Sequence, residues 1–218
     1  MAGPRLRAIA PRVRPLPARL RGLPVSIGYF RGPKLMSWLR KRWVRFRNPH
    51  ADIRFGRGTY LGPGFSLDMP FGGTFVTGED VEFRRNFRAE FGARETRIEF
   101  GARSSCTYDV VLQCTTSITV GERCGLAHGT TIIDGSHRFR DIDRTVSEQG
   151  NENWPIHIDD DAMISASCTI IADVGKRAFV GANAVVTRPV PPYTVAVGVP
   201  ARPIDHFGPP EAGRAPES

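Results

Sequence analysis

Residues 158–163 read IDDDAM and 164–169 ISASCT, and after a short break 174–179 read VGKRAF and 180–185 VGANAV. Ile158, Ile164, Ile170, Val174, Val180 and Val186 mark an aliphatic beat of six. The fifth place of the four blocks holds Ala162, Cys168, Ala178 and Ala184. These side chains are too small for an ordinary core position, so they predict a tight corner where a short flat strand turns inward over an apolar centre. Period six therefore predicts stacked coils of short strands, a parallel β-helix, rather than a sheet with crossovers.

The beat runs backwards through Val120, Leu126 and Ile132, and before them through Phe100, Cys106 and Leu112. Earlier units, around Ile53, Leu61, Leu67, Val76, Phe83 and Phe91, are less regular and richer in Phe, and read as the first coils. One unit alone has no buried face, so several must stack before apolar burial offsets chain entropy.

The 218 residues are 40% hydrophobic with 23 Gly and 18 Pro, which suits one core with a corner every few residues. Cys124 and Cys168 fall on the small fifth place, and none of the four cysteines, with Cys106 and Cys114, has CxxC or Cys/His spacing. They read as reduced, buried thiols of a cytoplasmic protein, with no metal expected. Thirteen Lys/Arg and no acid precede Asp52, whereas the remainder carries 17 Lys/Arg against 22 Asp/Glu. The basic character thus belongs to an N-terminal extension, residues 1–52, whose first 24 residues are Arg- and Pro-rich and aperiodic.

Within that extension, Leu35, Met36, Leu39, Trp43 and Phe46 fall in an arc of roughly 100° on a helical wheel, which predicts a basic amphipathic helix near 34–47. It reads either as packed on the open end of the β-helix or as lying on an anionic membrane, placing the protein peripherally on the inner face. Nucleic acid is excluded as a partner, because the acidic body offers no basic groove and no recognition motif. There is no apolar run long enough for a signal or a membrane span. The β-helix is expected over 53–205 and a tail over 206–218.

Between Ile132 and Ile158 the beat stops, and the chain reads IIDGSHRFRDIDRTVSEQGNENWPIHI. A break of this length in a repeat is expected to be a functional loop, here 138–157. Together with the hexapeptide units and the ending VGANAVVTRPVPPYTVAVGVPARPI, this segment resembles the hexapeptide-repeat acyltransferases, within them the sugar O-acetyltransferases of the galactoside, maltose and lipopolysaccharide-biosynthesis type. The resemblance covers roughly 100–205. It implies a left-handed β-helix, a homotrimer, and acetyl-CoA held between neighbouring subunits.

His137 matches the family's catalytic histidine, and the chemistry asks for one, since a sugar hydroxyl is a poor nucleophile until an imidazole with pKa near ~6.5 takes its proton. By analogy, the Ala166 N–H of a neighbouring subunit would stabilise the oxyanion, and either Asp134 or Glu148 would orient the imidazole. The resemblance assigns the CoA phosphates to Arg188 and Arg202, contacts along pantetheine and adenine to Ala182 and Thr187, and acceptor contact to Asp109. Trp154 reads as a cover over acceptor or pantetheine, or as a loop anchor. The chain departs from the family at Ala162-Met163-Ile164-Ser165, where a Val-Trp-Ile-Gly run is usual, and at Ile171-Ala172-Asp173, where a fuller Pro-Gly-Val corner is usual.

These features make an acyl-CoA-dependent O-acyltransferase acting on a sugar or glycolipid precursor the leading expectation. An amino-sugar N-acyltransferase and a non-enzymatic β-helix interaction module are the alternatives. A γ-carbonic-anhydrase type is disfavoured by the nine-residue gap from His128 to His137.

Overall fold

The computed structural model describes residues 34–209, so the aperiodic start and most of the expected tail lie outside the described residues. One helix, α1 (Lys34–Arg47), precedes a three-sided parallel β-helix. The first coil is β1 (Ala51–Arg54), β2 (Tyr60–Leu61) and β3 (Ser66–Asp68), and the second β4 (Gly73–Thr77), β5 (Glu82–Phe83) and β6 (Arg88–Phe91). Then come β7 (Arg97–Phe100), β8 (Ser105–Cys106), β9 (Val111–Cys114), and β10 (Ser117–Val120), β11 (Gly125–Leu126), β12 (Thr131–Ile133). A hairpin, β13 (Gly135–His137) and β14 (Asn151–Asn153), interrupts the stack before β15 (Ile156–Ile158), β16 (Met163–Ile164) and β17 (Thr169–Ile170). The last strands are β18 (Phe179–Val180), β19 (Val185–Val186), β20 (Thr194–Val197) and β21 (Arg202–His206).

Each coil strand pairs in parallel with its counterpart one coil away, which gives three faces. Face A is β1-β4-β7-β10-β15, extended by bridges through Val174 and Val190; face B runs from β2 to β20; face C is β3-β6-β9-β12-β17-β19. The antiparallel β21 closes the edge of face B. In-register ladders fill the centre, Phe75-Ile98-Ile118-Ile156 on face A and Leu126-Ile164-Val180-Ala196 on face B.

The fifth place is buried in every coil, as its small residues at 162, 168, 178 and 184 predict, but in the first coils it carries Phe65 and Phe87. These two stack at 5.2 Å and join Phe83 and Phe100 in a cluster of mostly edge-to-face rings, each such pair worth ~0.5–1.5 kcal/mol beyond its burial. The fourth place takes positive φ: Arg123, Asp161 and Arg177 at the A–B corner, Asn86, Asp109, Ser167 and Asn183 at the B–C corner. Asn and Asp tolerate that conformation best among residues with a Cβ.

One expected core position slips. Val76 is half-buried and its neighbour Phe75 fills the centre, whereas on β6 Ala89 and Phe91 both face inward and are buried. Strand β4 is longer than two residues, and a one-residue error in phase exchanges inside and outside.

Helix α1 packs on the open end, but not by the expected arc. Ser37 and Val44 are buried, with Arg40 and Lys41 partly covered, whereas Leu35, Met36, Leu39, Trp43 and Phe46 are exposed. The open end of a β-helix presents unpaired backbone groups rather than an apolar surface. Accordingly Ser37 Oγ accepts from the Leu61 N–H at 2.9 Å, Arg40 donates to the Leu61 carbonyl, Arg45 to that of Ile53, and Asn48 to that of Leu67. Each edge strand of the first coil thus receives a polar cap.

Candidate active site

The hairpin grows from the C–A corner after β12. Asp134, 2% exposed, holds its base. Its carboxylate accepts from the backbone N–H groups of Thr115 and Thr116, from Thr116 Oγ1 at 2.8 Å and from Cys114 Sγ at 3.2 Å. Its own carbonyl accepts from the Trp154 N–H at 2.8 Å, so both legs of the hairpin meet at this residue. Burial, followed by the Asp134 charge and the bond to it, pushes the Cys114 thiol far above its usual range and keeps it a donor. All of the Asp134 side-chain bonds go to the preceding coil and none to His137.

His137 ends β13 opposite Asn151 and is exposed, with no side-chain partner among the described residues. It lines a cleft of about 430 Å³ with Gln113, Thr115, Asn151 and Asn153. Gln113 Nε2 donates to Glu90 Oε2 at 3.0 Å across the floor of face C. Glu90 and Gln113 had not been singled out, although both stand at outward strand positions in register, next to the break in the repeat. Glu90 also lines a second cleft, which Trp43 and Arg47 of α1 border.

Glu148 makes no bond to the imidazole among the described residues. It accepts from the Thr145 N–H and hydroxyl, a capping box on the 3₁₀ turn 146–148 that also holds its carboxyl below the usual range. Trp154 is half-buried and donates Nε1 to the Ile171 carbonyl at 3.0 Å, so it anchors the returning strand while its ring borders the hollow beneath Arg138–Asp141.

The other singled-out residues stand elsewhere on the coil. Asp109, Ala166 and Ala182 share the B–C corner, which is bonded coil to coil by Ser167 N–H to the His128 carbonyl and Asn183 N–H to the Ala166 carbonyl. The Ala166 N–H has no acceptor among the described residues. Asp109 Oδ1 accepts from Asn86 Nδ2 at 2.8 Å. Thr187 and Arg188 are exposed at the C–A corner beyond β19, two strand positions below the hairpin on face C. Arg202 opens β21 and donates to the Ala201 carbonyl. One chain therefore gathers Asp134, His137 and Trp154 on one corner and Asp109, Ala166 and Ala182 on another, and does not bring the two groups together.

His128 is exposed at the B–C corner, and His157 is exposed on β15. All four cysteines are free and buried. Among the described residues no group of three or more His, Cys, Asp or Glu is arranged to hold a metal, and no helix is long and apolar enough to cross a membrane.

No family model matches the chain. A probable acetyltransferase of Mycobacterium tuberculosis is 30% identical over 112 residues, 50% of this chain and 37% of that protein. The chain thus matches little more than a third of that relative's length. Among solved structures, a hexapeptide-repeat acetyltransferase of Vibrio cholerae complexed with acetyl-CoA superposes with a TM-score of 0.54 at 23% identity, covering 81% of this chain and 79% of its own. A mutant of AntD, an N-acyltransferase of Bacillus cereus in complex with dTDP-4-amino-4,6-dideoxyglucose and coenzyme A, superposes with a TM-score of 0.63 at 15% identity, over 80% of this chain and 90% of its own. At those identities the likeness is one of fold. The matched relative carries an acetyltransferase name, and the solved neighbours share the β-helical fold described above.

Proposed function

We propose that this protein is an acyl-CoA-dependent O-acyltransferase, with acetyl-CoA as donor and a hydroxyl of a sugar or glycolipid precursor as acceptor. The observation that carries this reading is His137, an imidazole without a partner, on a hairpin fastened to the coil at its base and open to solvent at its tip. An uncommitted imidazole is suited to general-base work on a hydroxyl. In this reading the coils wind left-handed and three chains associate, so that the His137 hairpin of one faces the B–C corner of the next. Homo-oligomers close by such symmetry, and here each site would be incomplete in one chain.

His137 then takes the hydroxyl proton as the acceptor oxygen bonds to the thioester carbonyl carbon. The carbon–sulfur bond breaks, and the proton passes from His137 to the departing thiolate, leaving ester and free CoA. The free Ala166 N–H supplies an oxyanion donor, Ala182 continues the same corner along pantetheine, and Thr187, Arg188 and Arg202 serve the nucleotide end. Asp109 and Trp154 are the assigned acceptor contacts. Glu90, shared by the His137 cleft and the cleft beside α1, favours an acceptor that extends towards the helix, such as a glycolipid.

The AntD likeness keeps amino-sugar N-acylation as the second reading. Incubation with acetyl-CoA and a panel of hydroxyl and amine sugars and glycolipids, followed by mass spectrometry of the products, separates the two. Ester products support the first reading, amides the second, and absence of both together with absence of CoA binding overturns the enzymatic one.

A further inference from the structure

We infer that α1 docks on an anionic lipid bilayer through the face it turns away from the β-helix. The helix spends its polar side on the fold, because the edge strands need donors and an acceptor rather than apolar contact. What remains on the opposite side is an unused apolar arc: Leu35 is 64% exposed, Trp43 58% and Phe46 75%. Trp43 and Phe46 stack on each other at 5.8 Å, and the Arg42 guanidinium lies 5.0 Å over the Trp38 ring. These apolar residues form one contiguous exposed face, the kind of surface that marks a protein or membrane contact.

Charge selects the partner. The helix carries Lys34, Arg40, Lys41, Arg42, Arg45 and Arg47 and no acid. On the helical wheel Arg42 and Arg47 flank the apolar arc on its two sides, the arrangement of a helix lying in a membrane interface with its cations at headgroup level. A second copy presenting the same face would bring the same charges against it. The segment that precedes the helix, residues 1–33, brings seven more arginines and no acid. Both are repelled by what an anionic headgroup layer attracts. With 14 residues α1 is too short to span, so it lies along the surface.

The test uses the full chain with extruded vesicles, phosphatidylglycerol mixed into phosphatidylcholine against phosphatidylcholine alone, at low and high salt. The expected result is co-sedimentation with the anionic vesicles only, a blue shift of Trp emission on binding, and release by salt. The double variant Leu39→Glu/Phe46→Glu leaves Ser37, Val44 and the edge caps in place, so its melting temperature is expected to match the parent while its vesicle affinity falls at least ~10-fold. A parent chain that stays in the supernatant with anionic vesicles at low salt overturns the proposal. So does a variant that binds as the parent does, since binding then belongs to residues 1–33, or one whose only change is a smaller assembly, since the face then joins copies of this chain. None of these readouts depends on catalysis.

Discussion

The coils and the hairpin treat their side chains in opposite ways. In the coils the interior strands are hydrogen-bonded on both sides and their inward residues are fully or nearly fully buried, from Phe75 and Phe83 to Ile164 and Val180. In the hairpin β13 and β14 pair only with each other, and every residue from Ser136 to Glu148 is exposed. Stability is therefore concentrated in the stack, and the candidate chemistry in an appendage that contributes little to it. Asp134 belongs to both regions, because its carboxylate bonds the preceding coil while its backbone bonds the hairpin's return. Substitutions can break or sharpen this division.

The largest effect is expected at His137. His137→Ala should lower the transfer rate ~10²–10⁴-fold, with melting temperature and acetyl-CoA affinity unchanged. Steady-state kinetics beside a thermal melt checks it, and near-normal turnover would remove the imidazole from the mechanism. The converse case is Phe83→Ala, which leaves a cavity among Phe65, Phe87 and Phe100 and should cost about 3–5 kcal/mol in chemical denaturation. Ile164→Val, in the aliphatic half of the same face, should cost only about 0.5–1.5 kcal/mol. A loss well below either range would show that the stack relaxes into the space left by that deletion.

Asp134→Asn tests the joint. An amide there sets N–H against N–H at Thr115 or Thr116, and leaving a buried donor unpaired costs about 1–3 kcal/mol. Because the same change loosens the base of the hairpin, the rate should fall as well, and limited proteolysis should quicken within Arg138–Arg144. A stability loss with an unchanged rate and unchanged proteolysis would mean that the hairpin holds itself.

The smallest effect concerns pH. Burial raises the Cys124 thiol from 9.0 to about 11. In the unfolded chain that thiol ionises near its ordinary value while in the folded chain it stays protonated, so above pH ~9 the unfolded state releases a proton that the folded state keeps. Stability should then decline as pH rises from 9 towards 11 and be indifferent to this group below 9. Denaturation at several alkaline pH values, compared with Cys124→Ala, checks the slope. The hairpin contains no cysteine, so the alkaline loss should register in amide exchange of the coils, and a loss confined to the hairpin would contradict the assignment.

How much could be read in advance follows from how local each signal was. The period of six, the small fifth place at 162, 168, 178 and 184 and the break after Ile132 are repeated within short windows, and the coils and the hairpin follow from them. Positive φ at the fourth place was equally open to reading, since Gly58, Gly64, Asp80, Asn86, Asp109 and Asn183 recur there. The first coils were harder, because Phe65 and Phe87 fill a place that Ala and Cys fill later, and a longer strand let Val76 pass for Phe75.

Tertiary structure alone decided three matters. It fixed the face by which α1 packs, since the partner surface is the backbone edge of the first coil, and an edge attracts arginine and serine where a core would attract leucine. It settled what Asp134 bonds, since its donors come from Thr115 and Thr116 on the previous coil and not from the nearby His137. It also separated the His137 corner from the Ala166 corner within one chain. A repeated sequence determines a coil because each unit carries its own corner and its own inward residue. What meets across coils depends on the number of residues between them, which hydrophobic pattern does not encode.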